Sequence, residues 1–71
     1  MEYLVVVEKG DKSYGAYVPD LPGCIAVGQS RREVMKLIRE GIALHLDALR
    51  DSGREIPAPT SRSETVRVKA A

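Results

Sequence analysis

Ser30-Arg31-Arg32-Glu33-Val34-Met35-Lys36-Leu37-Ile38-Arg39-Glu40-Gly41-Ile42-Ala43-Leu44-His45-Leu46-Asp47-Ala48-Leu49-Arg50-Asp51-Ser52-Gly53 is the stretch that decides the fold. Ser30 followed by Glu33 is a capping box set directly before a periodic apolar run. At 3.6 residues per turn, Val34, Ile38, Ile42, His45, Leu46 and Leu49 fall on one side, and Leu37, Leu44 and Ala48 widen that side. Glu33, Lys36, Arg39, Glu40, Asp47, Arg50 and Asp51 take the remainder. Gly53, with Pro57 and Pro59 beyond it, supplies the stop. The spacing predicts one helix over residues 31 to 52. Gly41 inside it costs about 1 kcal/mol relative to alanine, a cost that a closely packed second backbone would justify.

Upstream the period changes. Tyr3-Leu4-Val5-Val6-Val7 is β-branched and apolar on both alternating faces, which predicts a first strand buried on two sides. Lys9-Gly10-Asp11-Lys12 reads as a hairpin turn. Ser13 to Val18 is a second strand with Tyr14 and Tyr17 on opposite faces, and Gly15 within it suggests a bulge or a close backbone approach. Pro19-Asp20-Leu21-Pro22-Gly23 breaks the pattern, and Cys24 to Val27 is a short third strand ending at Gly28. Downstream, Arg54 to Glu64 is a polar, proline-bearing connection. Thr65 to Lys69 alternates as a fourth strand.

The order is β-β-β-α-β, an α+β fold. A right-handed crossover through the helix would pair strand 4 parallel with strand 1, giving a four-stranded mixed sheet of order 3-2-1-4 with the helix on one face. That arrangement is unbalanced. Strand 1 is apolar on both faces, and the helix carries an apolar arc roughly 200° wide where core packing needs a stripe of about 100°. Both excesses predict burial against another chain, first of all a second copy in a dimer.

Composition limits the chemistry. The chain has 71 residues, 44% hydrophobic and 30% charged, with a formal charge of +1. A chain this short buries only about 60% of its unfolded surface, so its core is thin. The balanced charge supplies no footprint for sequence-independent binding to nucleic acid or membrane. One cysteine excludes an internal disulfide framework and any multi-cysteine metal site. No apolar run reaches the roughly 18 residues of a membrane span, and Met1-Glu2 is not a signal n-region. The expectation is a cytoplasmic domain without metal or cofactor.

Candidate catalytic residues are few. His45 is the only base that could activate a Ser or Cys nucleophile, and it lies within the apolar arc, where a packed histidine is expected. Cys24 reads as a small buried hydrophobe. A metal-dependent nuclease would draw on Glu8 and Asp20, while Glu40 on the polar arc cannot converge with them. Gly23, Gly28 and Gly41 lack the spacing of a phosphate loop. Arg31, Arg32, Lys36 and Arg39 make the first half of the helix basic, without interleaved aromatics to stack bases.

Tyr17-Val18-Pro19-Asp20-Leu21-Pro22-Gly23-Cys24, then Ala26, Gly28, Ser30 and Glu33, then Ile42-Ala43-Leu44-His45-Leu46, resemble the HicB-type antitoxins. Gly53, Ile56-Pro57 and Pro59 continue the resemblance, which spans about residues 3 to 69. It implies a partial RNase H-like fold and a non-catalytic antitoxin that occludes a small basic HicA-like toxin cleaving messenger RNA. It marks Pro19, Asp20, Leu21, Pro22, Gly23, Cys24 and His45 as family-motif or partner-binding residues. Longer relatives append a DNA-binding domain. Residues 1–71 are expected to form one HicB-like domain without it, and hence without direct DNA binding. The alternatives are an orphan dimeric RNase H-like domain with an unknown partner and, ranked below it, a minimal metal-dependent nuclease using Glu8 and Asp20.

Overall fold

The computed structural model describes residues 1–70 of the chain. Its elements are β1 (Val6–Lys9), β2 (Tyr14–Tyr17), β3 (Ile25–Gly28) and α1 (Arg31–Asp51). The three strands form one antiparallel sheet of order β1-β2-β3. Val6 lies opposite Tyr17, and Tyr17 opposite Ile25. The α+β character and the position of the second strand between the first and third are as the sequence predicts.

Strand 1 begins later than its apolar run. Continuing the register would set Leu4 opposite Pro19, which has no N–H to donate, so the ladder stops where β2 enters the proline turn. At the other end it runs on to Lys9, which faces Tyr14, and the Gly10 N–H closes the hairpin on Ser13 O at 2.8 Å. Strand 3 is likewise displaced by one residue, because Cys24 is occupied in closing the preceding turn. Gly15 makes no bulge. The register runs through it without interruption.

Both ends of α1 are capped by local sequence. Ser30 Oγ accepts from Glu33 N at 3.0 Å, while Glu33 Oε1 accepts from the Gln29 N–H, one residue before the cap. At the C-terminus Gly53 takes φ +72°, and the Arg54 and Gly53 N–H groups bond to Leu49 O and Arg50 O. That is the Schellman pattern, which favours glycine because side chains resist positive φ.

The core is thin, as the chain length requires. Ala16, Val18, Leu21, Cys24, Val34 and Ile38 are buried, with Tyr3, Val5, Val7, Tyr14, Ala26, Met35, Ile42 and Leu46 packed around them. A helix of 21 residues is about 31 Å long, whereas a strand of four spans about 13 Å. The helix therefore overshoots the sheet. Part of its wide apolar arc stays outside the core: Leu37 and Leu44 are exposed. Gly41 meets no second backbone, since a Cβ there would lie 3.9 Å from Cys24 Sγ, an ordinary van der Waals distance. Gly41→Ala is thus expected to raise stability by about 1 kcal/mol, read as a higher midpoint in urea.

The fourth strand is not formed. Thr65–Lys69 lies outside any strand, so the sheet has three strands instead of four and no parallel pair. The cause is the path of the connection. The Tyr3 hydroxyl donates to Pro57 O just ahead of β1, and Thr60 and Ser61 are then bonded to Asp20 in the turn between β2 and β3. From Pro57 to Ser61 the chain thus passes from the start of β1 to the β2–β3 turn, away from the β1 edge.

Candidate interaction surface

Side chains alternate across a sheet, and the core identifies which set faces the helix. Val7, Ala16 and Ala26 align on the helix side. The opposite side carries two cross-strand rows, Val6–Tyr17–Ile25 and Glu8–Gly15–Val27. No element among the described residues covers it. Ile25 is 71% exposed, Val27 64% and Tyr17 41%, with Val6 half-buried beside them. A Cβ built at Gly15 would find no atom within 4 Å, so the middle of this face is open. The two-sided apolar pattern of the first strand anticipates such a face, but its strongest members lie on β3, where two residues of four read as ordinary strand filling.

The motif loop lies at the lower end of this face. Val18 N bonds to Cys24 O at 3.2 Å, Leu21 N to Val18 O at 3.0 Å, and Cys24 N to Leu21 O at 3.0 Å. These bonds fold Leu21 inward until it is completely buried. Gly23, at φ +85°, makes the reversal possible. Pro19, Pro22 and Gly23 remain exposed. Cys24 is buried, and desolvation pushes its thiol above the ordinary range, the opposite of what a thiolate nucleophile needs. His45 is half-buried on α1 and lies outside the buried cluster.

Asp20 has a structural task that the sequence does not disclose. One carboxylate oxygen accepts from Thr60 N at 3.0 Å and Ser61 N at 2.9 Å, the other from Thr60 Oγ1 at 3.2 Å and Ser61 Oγ at 2.8 Å. The bonds from Ser61, backbone first, hold this carboxyl below its ordinary pKa. A nuclease built on Asp20 and Glu8 loses its geometry. The two lie at opposite ends of the sheet, and both oxygens of Asp20 are engaged. Among the described residues no group of three His, Cys, Asp or Glu side chains could hold a metal ion. No helix among them is long and apolar enough to cross a membrane.

The Asp20 bonds set a pH dependence. A carboxyl whose pKa is lower folded than unfolded stabilises the fold above its unfolded value and ceases to do so as pH falls through the folded one. Below about pH 3.9 the connection is therefore expected to release progressively. Amide exchange at Thr60 and Ser61 reports it, and Asp20→Ala should abolish the protection of both amides at neutral pH.

These features define a class: a small two-layer α+β domain in which Asp20 is engaged within the fold and the sheet presents an exposed apolar face. The chain belongs to the HicB-like antitoxins of bacterial toxin-antitoxin systems, the family model matching residues 3–70. It is 31% identical over 67 residues to a UPF0150 protein of Thermoplasma acidophilum, covering 93% of this chain and 97% of that one. It is 33% identical over 57 residues, 80% of its length, to a 14.9 kDa protein from the rep-hol intergenic region of Haemophilus phage HP1. Antitoxin HicB 2 of Photorhabdus laumondii is 27% identical over 64 residues, 90% of this chain. The chain spans less than half of these last two proteins, 43% and 46% respectively. Among solved structures, a chain of a HicA3 and HicB3 toxin-antitoxin complex superposes with a TM-score of 0.71 at 28% identity, over 84% of this chain and 70% of that one.

Proposed function

We propose that this chain is an antitoxin that acts by binding alone, covering a small basic HicA-like toxin with the outer face of its sheet. The observation that carries the reading is the likeness to a chain from a HicA3–HicB3 complex over 84% of the present one. The physical features agree with it. An exposed apolar cluster with an aromatic at its centre suits a protein partner, since such anchors dominate binding energy. Tyr17 also offers a ring face to a partner's cations. Glu8, opposite Gly15 on the same side of the sheet and exposed, offers this face one carboxylate towards a basic protein. Pro19, Pro22 and Gly23 contribute at the rim, while Leu21 and Cys24 act from the core and His45 from the helix. A target that cleaves messenger RNA puts this activity in the cytoplasm.

Co-expression with a HicA-like toxin from the same genome tests the reading. Restored growth and recovery of both proteins in one complex are expected. Unrelieved toxicity and no complex would refute it. Ile25→Asp with Val27→Asp, both at exposed positions, should weaken the complex about 100-fold or more while the circular dichroism of the free antitoxin is unchanged. Titration calorimetry measures the difference.

A further inference from the structure

We propose that the basic toxin also contributes an extended segment, added as a further strand along the free edge of β3 and roofed by α1. This inference rests on the antitoxin reading and gives the toxin a second contact besides the outer face.

β3 is an end strand, bonded only to β2. The Val18 N–H donates to Cys24 O at 3.2 Å, in the register that sets Ala16 opposite Ala26 and Tyr14 opposite Gly28. Bonded and non-bonded pairs alternate along an antiparallel ladder, so these pairs carry the bonds to β2. The N–H and C=O groups of Ile25 and Val27 therefore point the other way, to the open side. Nothing in the strand guards them. Ile25-Ala26-Val27-Gly28 has no charge, no proline and no bulge, whereas β1 ends in Glu8-Lys9. The same two residues hold their side chains on the outer face, so a partner seated there lies beside their open backbone.

The helix supplies the other wall. α1 runs antiparallel along β3, since a Cβ at Gly28 would meet Val34 and one at Gly41 would lie 3.9 Å from Cys24 Sγ. Val34 and Ile38 enter the core and are fully buried. On one flank of the helix, Met35, Ile42 and Leu46 are half-buried around the cluster together with Val7 of β1 and Tyr14 of β2. That flank lies over the rest of the sheet. The opposite flank carries Leu37 and Leu44, both exposed. It overhangs the edge of β3, where a further strand would lie. Such a strand pairs its outward side chains with Ile25 and Val27 and buries its inward ones beneath Leu37 and Leu44. The part of the apolar arc that the chain's own sheet leaves uncovered thereby gains an occupant.

Charge selects that occupant. Glu33 and Glu40 stand next to Leu37 and Leu44 around the helix, while Arg32, Lys36 and Arg39 fall farther round. Glu40 is exposed and has no ion-pair partner among the described residues. A free carboxylate beside an apolar cleft suits a segment from a basic protein.

Amide exchange on the complex obtained by co-expression tests the proposal. In the free chain the Ala26 and Gly28 amides are protected and those of Ile25 and Val27 are open. In the complex all four should be protected. Val27→Pro removes the outward N–H but no bond to β2, a place where an end strand tolerates proline. Val27→Ala trims the side chain and keeps the donor. The proline variant should therefore bind the toxin about tenfold or more weakly than the alanine variant, with unchanged circular dichroism. Leu44→Lys, on the helix and away from the outer face, should also cost about tenfold or more. Should the proline variant unfold, amide exchange of the unaltered chain decides. Equal affinities of the two Val27 variants, or Ile25 and Val27 amides that stay open in the complex, overturn strand addition and leave the outer-face reading standing. Protection of these two amides in the free chain that rises with its concentration assigns the edge to a second copy and overturns the proposal too. Failure to form any complex refutes the antitoxin reading itself, and this proposal with it.

Discussion

Leu21→Ala is expected to destabilise the fold by about 2–5 kcal/mol. Leu21 is fully buried in the cluster that also contains Val18, Cys24, Val34 and Ile38. Truncation removes apolar area and leaves a void that the loop cannot close, because its backbone is held by bonds from Leu21 N to Val18 O and from Cys24 N to Leu21 O. At about 0.05–0.15 kcal/mol per residue a chain of this length has only about 4–11 kcal/mol in total, so one loop residue carries a large part of it. Urea denaturation should show a much lower midpoint. Leu21→Met, which conserves volume, should cost less than about 1.5 kcal/mol. Similar effects for the two would show that the site is not close-packed.

Gly28→Ala is the second large effect, and its mechanism is opposite. A Cβ at Gly28 would lie 2.8 Å from Val34 N and 3.1 Å from Val34 Cα and Glu33 Oε1. The nearest atom is helix backbone, so relief requires moving the start of α1 away from β3. That displaces Val34, one of the fully buried residues, and strains the bond by which Glu33 holds Gln29 N–H. Overpacking of this kind costs about 1–3 kcal/mol. A lower thermal midpoint is expected, together with shifted amide resonances over Gln29 to Val34. A neutral result would show that the strand and helix do not need this close approach.

The two sites differ in how visible they are before folding. The helix is legible almost to the residue because its signals are local: a capping box, a 3.6-residue period and a terminal glycine. Gly28 reads only as the end of a strand, because the residue it must not touch, Val34, is brought over it by the turn. Leu21 stands between Asp20 and Pro22 in a segment without periodicity, so no pattern identifies it as core. Gly15 is misleading in the other direction. Its lack of a side chain suggests crowding, and it lies instead on an open face.

The candidate surface is half legible. Apolar character on both sides of the first strand foretells an uncovered face, but the register then adds Tyr17, Ile25 and Val27 to Val6 across three strands. Asp20 illustrates the limit. Its partners are 40 and 41 residues away, and nothing in their spacing announces the pairing.

By itself the sequence determined the elements and their order through Asp51, the limits of the helix and the family resemblance, because each depends on neighbours within a few positions. It also determined that the chain has more apolar surface than one helix can cover. Only the tertiary structure decided where that surplus lies and that Thr65–Lys69 does not join its own sheet. Those outcomes depend on the Tyr3–Pro57 and Asp20–Ser61 bonds, which link residues 54 and 41 positions apart. Contacts at such separation arise from the packed chain as a whole, and no local pattern encodes them.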